Sequence, residues 1–343
     1  MAVWYREKNS KENIVVSTRI RLARNLEGLP FPSKMTNEQR ENLNKKIKKV
    51  IDESEFSKTL KFIDMSDIPE MQVFAMMERH IISPEFATSK QKRGIILSPD
   101  ESISIMIGEE DHIRIQVILG GLQIEKAYKT ASEIDKLFFE KLNIAFDKDL
   151  GYLTECPTNL GTGLRASLML HLPVLESKGE ISRLAESINK IGFTIRGLYG
   201  EGTKSEASLY QISNQITLGI TEKEALENLK VIANELENKE KEECSKLNRI
   251  NIEDICFRAL GTLQNCRLLS SGEMMNLISK IKMGINMGII NININPITLL
   301  IEARPYMLMK KYGQMAADER DIYRANFIRK ELVQQWMEEN YEI

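Results

Sequence analysis

The sequence predicts an α+β fold over residues 1–235 followed by an all-helical part over residues 236–343, and three observations lead there. Up to about residue 230, short Ile- and Val-rich runs bounded by turn residues are mixed with helix-like stretches. From Glu222 to Leu247 the chain becomes a strongly charged helical run that includes Lys239-Glu240-Lys241-Glu242-Glu243, most simply a solvated helix joining the two parts. The remainder carries apolar residues at amphipathic-helix spacing.

Composition sets the bounds. A chain of 343 residues with 42% hydrophobic and 28% charged content can bury a large core, and its length suggests two domains. A net charge of −2 advertises neither nucleic acid nor an acidic membrane surface. Met1 to Glu7 lacks the apolar core of a signal peptide, and no apolar stretch approaches the ~18 residues of a spanning helix, so a cytoplasmic protein is expected. Cys156, Cys244, Cys256 and Cys266 form no Cys-x-x-Cys pair and only three histidines exist, which predicts free thiols and no zinc site.

The elements follow in chain order. Val15 to Leu22 alternates with period two, putting Ser17, Arg19 and Arg21 on one strand face and Val16, Thr18, Ile20 and Leu22 on the other. Same-face arginines repel unless an anion lies between them, and a guanidinium fork fits phosphate oxygens; a charge-defended edge strand is the plainer reading. Arg93 to Pro99 reads as a short strand and Ala127 to Leu142 as a helix. Ile103 to Val117 alternates around Glu109-Glu110-Asp111, which suits a hairpin tip. Either the tip lets these acids reach water, or one of them faces a cationic substrate while Arg114, opposite Ile113 and Ile115, meets phosphate.

Glu155 to Ser167 joins the thiol of Cys156, Gly161, Gly163 and Arg165 within thirteen positions. Leu153-Thr154 reads as a strand end and Arg165 to Leu170 as a helix start, with the glycines turning the backbone so that free N–H groups and Arg165 face an anion. A scaffold turn with an inert cysteine is the alternative. Ile195 to Lys204 nearly spells a phosphate-binding loop, but Thr203 intervenes between Gly202 and Lys204 and that motif fails. Ile290 to Asn295 alternates like a strand, with Pro296 as its stop. Ile297 to Ile301 with Met307, Met309 and Met315 could pack inside the domain or against a second subunit. Arg320 and Arg324, four apart, share a helical face with Asp321 nearby.

Several of these runs together resemble the signature segments of the ATP:guanido phosphotransferases, the phosphagen kinases. The Glu155 to Ser167 run resembles their signature segment, and Ser17-Thr18-Arg19-Ile20-Arg21 is similar to their Ser-x-Arg-x-Arg strand. Gly108-Glu109-Glu110-Asp111-His112-Ile113-Arg114 resembles Asn-Glu-Glu-Asp-His-x-Arg, with glycine in place of asparagine. Arg196-Gly197-Leu198-Tyr199-Gly200-Glu201 resembles Arg-Gly-x-x-Gly-Glu in its arginine-kinase form, and Glu78 to Pro84 is a shorter match through His80.

The resemblance implies an antiparallel sheet flanked by helices, ATP as phosphoryl donor, and Mg²⁺ held by phosphates and water with no protein side chain as ligand. It implies nucleotide contacts at Ser17, Thr18, Arg19, Ile20, Arg21, His80, Arg114, Arg165, Ala166, Ser167, Leu168, Met169, Arg196, Gly197, Leu198, Tyr199, Gly200 and Glu201. It makes Glu110 the catalytic carboxylate, Glu201 a second grip on the acceptor, and Cys156 a thiolate that organises the acceptor guanidinium. The chemistry explains the residue types: a guanidinium with a pKa above about 12 is a poor nucleophile until a base takes its proton, and phosphoryl transfer needs fixed cations around the moving oxygens.

In phosphagen kinases a helical domain that closes over a small guanidino compound precedes the Ser-x-Arg-x-Arg strand, which here begins at Ser17. The expectation is an acceptor site open to arginine side chains of proteins, as in the bacterial protein-arginine kinases. Asp318 to Ala325 resembles the Arg-Asp-x-x-Arg-Ala motif of those kinases, implying phosphoarginine sensing through Arg320, Asp321, Arg324 and Ala325. The partners implied are proteins with exposed arginine, an activator protein, a Clp-type ATPase or protease in stress response, and a second copy in a homodimer; neither a membrane nor nucleic acid is expected. A small-molecule guanidino kinase and a catalytically silent phosphoarginine-binding regulator stay open at this point.

Overall fold

The computed structural model describes residues 3–7, 13–198 and 205–341, with side chains of the last helix through Leu332. Ten strands occur among them: β1 (Val15–Arg24), β2 (Lys61–Asp64), β3 (Gly94–Leu97), β4 (Ile103–Ile107), β5 (Ile113–Gly120), β6 (Phe146–Asp147), β7 (Gly151–Tyr152), β8 (Leu164–His171), β9 (Phe193–Gly197) and β10 (Leu209–Asn214). Eight form one sheet in the order β2-β3-β4-β5-β1-β8-β10-β9, and β6 pairs with β7 alone. The pairings β2–β3, β3–β4, β4–β5 and β5–β1 are all antiparallel. Two compact units divide the chain: one takes Met1–Trp4, Ser17–Leu168 and Ser213–Val231, the other Tyr5–Val16, Met169–Ile212 and Ile232–Ile343. Neither is one continuous stretch.

In the first unit the helices are α1 (Asn37–Asp52), α2 (Glu70–Glu78), α3 (Pro84–Thr88) and α4 (Ile124–Lys141). Thr36 and Gln39 close a reciprocal capping box at the start of α1, where the chain turns from polar loop to a Leu43, Ile47, Ile51 stripe. Helix α4 packs on β5 through Ile124, Ala127, Ala131, Ile134 and Phe138, spaced three and four apart as one helical face requires. Each of its larger apolar side chains contributes roughly 1.5–3 kcal/mol by leaving water. A second apolar cluster around Met76, Ile81, Phe86, Ile95 and Met106 fixes the segment that carries His80 and Ser83.

The second unit is largely helical: α5 (Pro173–Ser177), α6 (Ile181–Lys190), the later part of α7 (Glu222–Ser245), α8 (Arg249–Asn265), α9 (Ser271–Asn286), α10 (Pro296–Glu302), α11 (Pro305–Tyr312) and α12 (Ala317–Tyr341). Asn248, Ser270 and Asn295 cap α8, α9 and α10 with side-chain oxygens. The turn at residues 5–7 is held by Asn295, whose amide donates to Tyr5 and Glu7 carbonyls, and by the Thr298 hydroxyl on Tyr5 O. No helix among the described residues is long and apolar enough to cross a membrane.

Three expectations change. Arg165 to Leu170 is not a helix start but part of strand β8, almost wholly buried; a strand covered on both faces loses its alternation and reads like a core helix. Residues 290–295 form no strand, and Pro296 begins α10 at its first turn rather than ending anything, with Asn295 as the cap. Helix α7 is more than a solvated connector, since Ala225, Leu229, Ala233, Leu236 and Glu240 give it a buried face. Ile297, Leu299, Leu300, Ile301 and Met309 are buried within the chain itself, while Met307 and Met315 are half-buried.

Candidate active site

The first unit gathers arginines on one sheet face. In the β1–β5 register Arg19 opposes Ile118, Arg21 opposes Gln116 and Ala23 opposes Arg114, so Arg19, Arg21 and Arg114 stand on the same side. Arg19 Nε donates to Ser167 Oγ at 3.4 Å, which brings β8 and its same-face Arg165 alongside, and Arg165 itself donates to Ser213 Oγ at 3.4 Å. Burial, and then repulsion from Arg19, Arg114 and Arg165, push the Arg21 guanidinium well below its ordinary pKa, with Glu109 pulling the other way. An arginine still keeps its proton, so the push reflects burial first and the neighbouring cations second. The buried Arg21 Nε has no hydrogen-bond partner. A polyanion laid on this face would relieve both the crowding and the orphaned donor.

The three acids of the β4–β5 tip have separate tasks, and none is simply solvated. Glu109 grips Arg114 with both oxygens and accepts from Ser83 Oγ at 2.6 Å. Burial works against its charge, yet Arg114, Ser83 and the Glu110 N–H hold it below the usual carboxylate range. Asp111 is buried in the frame, accepting from Asn25 Nδ2 at 2.6 Å and Glu155 N at 2.9 Å. His112 beside it accepts from Leu26 N and meets Pro30 O, a structural histidine that burial keeps neutral. Only Glu110 is left for chemistry. Burial and the negative charges of Asp111 and Glu109 raise its proton affinity against the pull of Arg114, which suits a general base that must take a weakly acidic guanidinium proton. Gly108 stands at φ +74°, a left-handed position that asparagine also tolerates, so replacing the family's asparagine leaves the turn intact.

The Cys156 loop lies against this carboxylate. Asn159 Nδ2 donates to Glu110 Oε2 at 3.4 Å, and Cys156 is near enough to lower the proton affinity of Glu110 against its burial. Cys156 is half-buried, its Sγ 3.0 Å from Thr158 Oγ1. The glycine turn does not offer an anion cradle, contrary to expectation: Thr162 N donates to Thr217 O, Gly163 N to Asn159 O and Leu164 N to Thr162 Oγ1. The glycines are there for packing. A Cβ on Gly161 would stand 2.2 Å from Thr217 O, and one on Gly163 2.7 Å from Ala23 O, and both residues have positive φ.

A buried arginine that no motif marks locks this loop. Arg24 pairs with both oxygens of Asp135 at 2.8 Å, donates to Ala23 O and Thr162 O, and stacks 3.5 Å from the centre of the Tyr152 ring. It lies on the apolar face of β1, and an arginine there must have buried partners, which is the signal that could have found it. Asn25, Ser83, Asn159 and Asn214 were missed too; Asn214 holds β8 by accepting from Ala166 N and donating to Leu164 O. As single polar residues they have no pattern to betray them.

The remaining expected residues divide. Ser17, Thr18, Ile20, Ala166 and Leu168 are buried; Ser17 shares the face of Arg19 and Arg21, while Thr18, which spends its hydroxyl on Gly121 O and Gln123 N, and Ile20, Ala166 and Leu168 point to the other face. His80 sits at φ +62°, its ring 6.0 Å from that of Trp4 and its carbonyl bonded by Gln116 on the arginine face. Met169, Arg196, Gly197 and Leu198 belong to the second unit, with Met169 buried and Arg196 exposed at the end of β9. Tyr199, Gly200 and Glu201 lie outside the described residues.

In the tail, Arg324 is not available as a phosphate grip. It is 2% exposed and donates to Ala303 O, Leu269 O and Asp321 Oδ1, tying α12 to the chain before α9 and the end of α10. Ala325 is buried beside it, and Arg320 is half-buried. Among the described residues no group of three His, Cys, Asp or Glu could hold a metal ion.

Comparison with known proteins adds to this geometry. A family model described as ATP:guanido phosphotransferase, C-terminal catalytic domain, matches residues 42–243, and one described as protein-arginine kinase McsB C-terminal domain matches residues 249–342. Proteins named protein-arginine kinase are similar over nearly the whole length: that of Halothermothrix orenii is 42% identical over 96% of this chain and 96% of its own. That of Clostridium kluyveri is 43% identical over 95% of this chain and 96% of its own. Among solved structures, lombricine kinase aligns with a TM-score of 0.60 at 23% identity, covering 70% of this chain and 69% of its own. The duplicated taurocyamine kinase of Schistosoma mansoni with bound transition state analog components aligns at 0.62 and 24%, covering 96% and 43%. At these identities the structural likeness establishes the fold.

Proposed function

Because the chain belongs to the ATP:guanido phosphotransferase family, and is a guanido-phosphotransferring enzyme, we propose that it transfers the γ-phosphate of ATP to arginine side chains of proteins. The observation that carries this reading is Glu110, a carboxylate held by Asn159 in the same unit as the face shared by Arg19, Arg21, Arg114 and Arg165. Full-length similarity to enzymes named protein-arginine kinase supports the choice of a protein-borne acceptor over a small guanidino compound.

Arg19, Arg21, Arg114 and Arg165 would bind the triphosphate and neutralise the oxygens of the moving phosphoryl group. Mg²⁺ would be carried on phosphate oxygens and water, where it would supply further charge neutralisation. Glu110 would receive one N–H of the acceptor guanidinium, align that nitrogen and take its proton as the N–P bond forms and the bond between the γ-phosphorus and the bridging oxygen of ADP breaks. Asn159 holds the Glu110 carboxylate, with Cys156 beside it. Glu109 keeps Arg114 in place.

The same reading extends to a cytoplasmic enzyme that works as a homodimer, answers to an activator protein and marks proteins for Clp-type proteolysis under stress. It also assigns phosphoarginine sensing to the tail, with Arg320 as the contacting cation and Arg324 as its structural anchor. Incubation with Mg-ATP and a basic protein, then mapping of acid-labile phosphate by mass spectrometry, tests the central assignment. Phosphate on arginine is expected. Phosphate confined to serine, threonine or tyrosine, or transfer to free arginine alone, would contradict it.

A further inference from the structure

The second unit contains a cavity of about 300 Å³, at the lower end of the size that holds a small ligand, walled by α7, α9 and the end of β8. Its polar lining is unusual in what is left unanswered. Glu240 is 1% exposed and accepts from Val174 N at 2.8 Å and Leu175 N at 2.9 Å, capping the start of α5, yet no basic side chain pairs with it among the described residues. Burial, despite those two N–H groups, raises its affinity for a proton. A carboxylate has about four acceptor positions, and a buried one is ordinarily matched by a positive group.

Two further acceptors belong to residues that line the same space. His171 is 1% exposed; its Nε2 meets Ser279 Oγ at 2.8 Å and its Nδ1 has no partner, and burial, then the positive charge of the buried Lys282, which is tied to Asn13 O, keep the ring uncharged. With the proton on Nε2, Nδ1 is an acceptor. Asn286 Oδ1 is buried without a partner as well. The other lining carboxylate, Glu237, is already answered by Lys241 at 2.6 Å, whereas Glu240 has only the Cys244 thiol, 3.9 Å away, besides its two N–H donors, and no basic partner among the described residues. Ile14, Pro173, Met283 and Met287 supply apolar wall between these groups.

We propose that this cavity binds a small organic cation, an ammonium or guanidinium head on an apolar stem, with Glu240 as counter-ion and His171 and Asn286 as hydrogen-bond acceptors. A cation answers all three groups at once, whereas an anion would meet Glu240 with the wrong sign and water would leave its charge unpaired. The apolar walls suit a stem of methylene groups. This assignment is independent of the catalytic reading, because every residue it uses lies outside the unit that carries Glu110.

The test is hydrogen-exchange mass spectrometry of the full-length protein with cadaverine in one arm and agmatine in the other, each titrated into the millimolar range. Protection of amides at 237–245 and 283–287 is expected in at least one arm, and which arm responds says whether the head group is ammonium or guanidinium. The location of the protected peptides separates this site from any guanidinium bound near Glu110. Glu240→Gln, which keeps one acceptor for the α5 cap, should weaken the titration by at least about tenfold. Asn286→Leu, on the opposite wall, should do likewise and serves if the first variant does not fold. No protection of these segments in either arm, or an affinity unchanged in the folded variants, overturns the proposal.

Discussion

At the scale of single residues, function and stability pull in opposite directions. Glu110 has its proton affinity raised by burial and by Asp111 and Glu109. For a carboxyl whose folded-state pKa exceeds its unfolded value, the stabilising contribution is present at low pH and is lost as pH rises through the folded pKa, so an ionised Glu110 destabilises the fold at neutral pH. Glu110→Gln is therefore expected to raise the thermal midpoint at pH 7 while lowering kcat about 10²- to 10⁴-fold; calorimetry and initial rates measure the two. An unchanged or lower midpoint would show that the charge is better accommodated than its surroundings imply. The acid limb of kcat/KM should fall at a pH above the ordinary carboxylate pKa, since a base is lost on protonation. Arg24 behaves differently, having a saturated set of partners: Arg24→Met should cost about 3–5 kcal/mol in chemical denaturation by stranding Asp135, and Arg24→Lys less, because lysine keeps the charge and loses only the fork.

The elements show why some of this was readable beforehand and some was not. Strand β1 and the β4–β5 hairpin announce themselves because one face is polar or cationic and the other apolar, so Arg19, Arg21 and Arg114 could be placed from spacing alone. Strand β8 could not, because it is covered on both faces and its sequence carries no alternation. The Gly161 to Gly163 turn is legible as a turn but not in its purpose, since nothing local tells whether an N–H will meet a phosphate or Thr217 O; the partner lies far away in sequence. Gly163→Ala tests the packing role. Its left-handed φ and the approach of Ala23 O predict a loss of about 1–3 kcal/mol in urea denaturation together with a drop in kcat, as the loop bearing Asn159 shifts. A variant as stable as the parent would mean the turn relaxes freely.

Across the whole molecule, sequence order and spatial order part company. The charge change at α7 suggests a division near residue 235, and the helices beyond it appear as their periodicity predicts. Yet the compact unit that holds them also recruits residues 5–16 and 169–212, through contacts such as Lys282 on Asn13 O, His171 on Ser279 and Arg6 with Glu302. Long-range recruitment of this kind leaves no periodic trace in a sequence, and neither does the burial of Arg324, which makes a charged helix face into a tie between helices. A fragment of residues 236–343 should accordingly lack part of its core and unfold without a cooperative transition by circular dichroism; a sharp transition would show that the helical part is self-sufficient.

The central claim is that the arginine face holds a triphosphate while Glu110 draws the proton from an acceptor guanidinium. Phosphorus-31 NMR of the full-length protein with Mg-ATP and an arginine-rich protein, run beside Glu110→Gln with nucleotide affinity measured on the same samples, tests it most directly. A phosphorus–nitrogen resonance that grows in the parent and is absent from the variant, at unchanged nucleotide affinity, is the predicted result. A resonance that grows at equal rates in both would contradict the account.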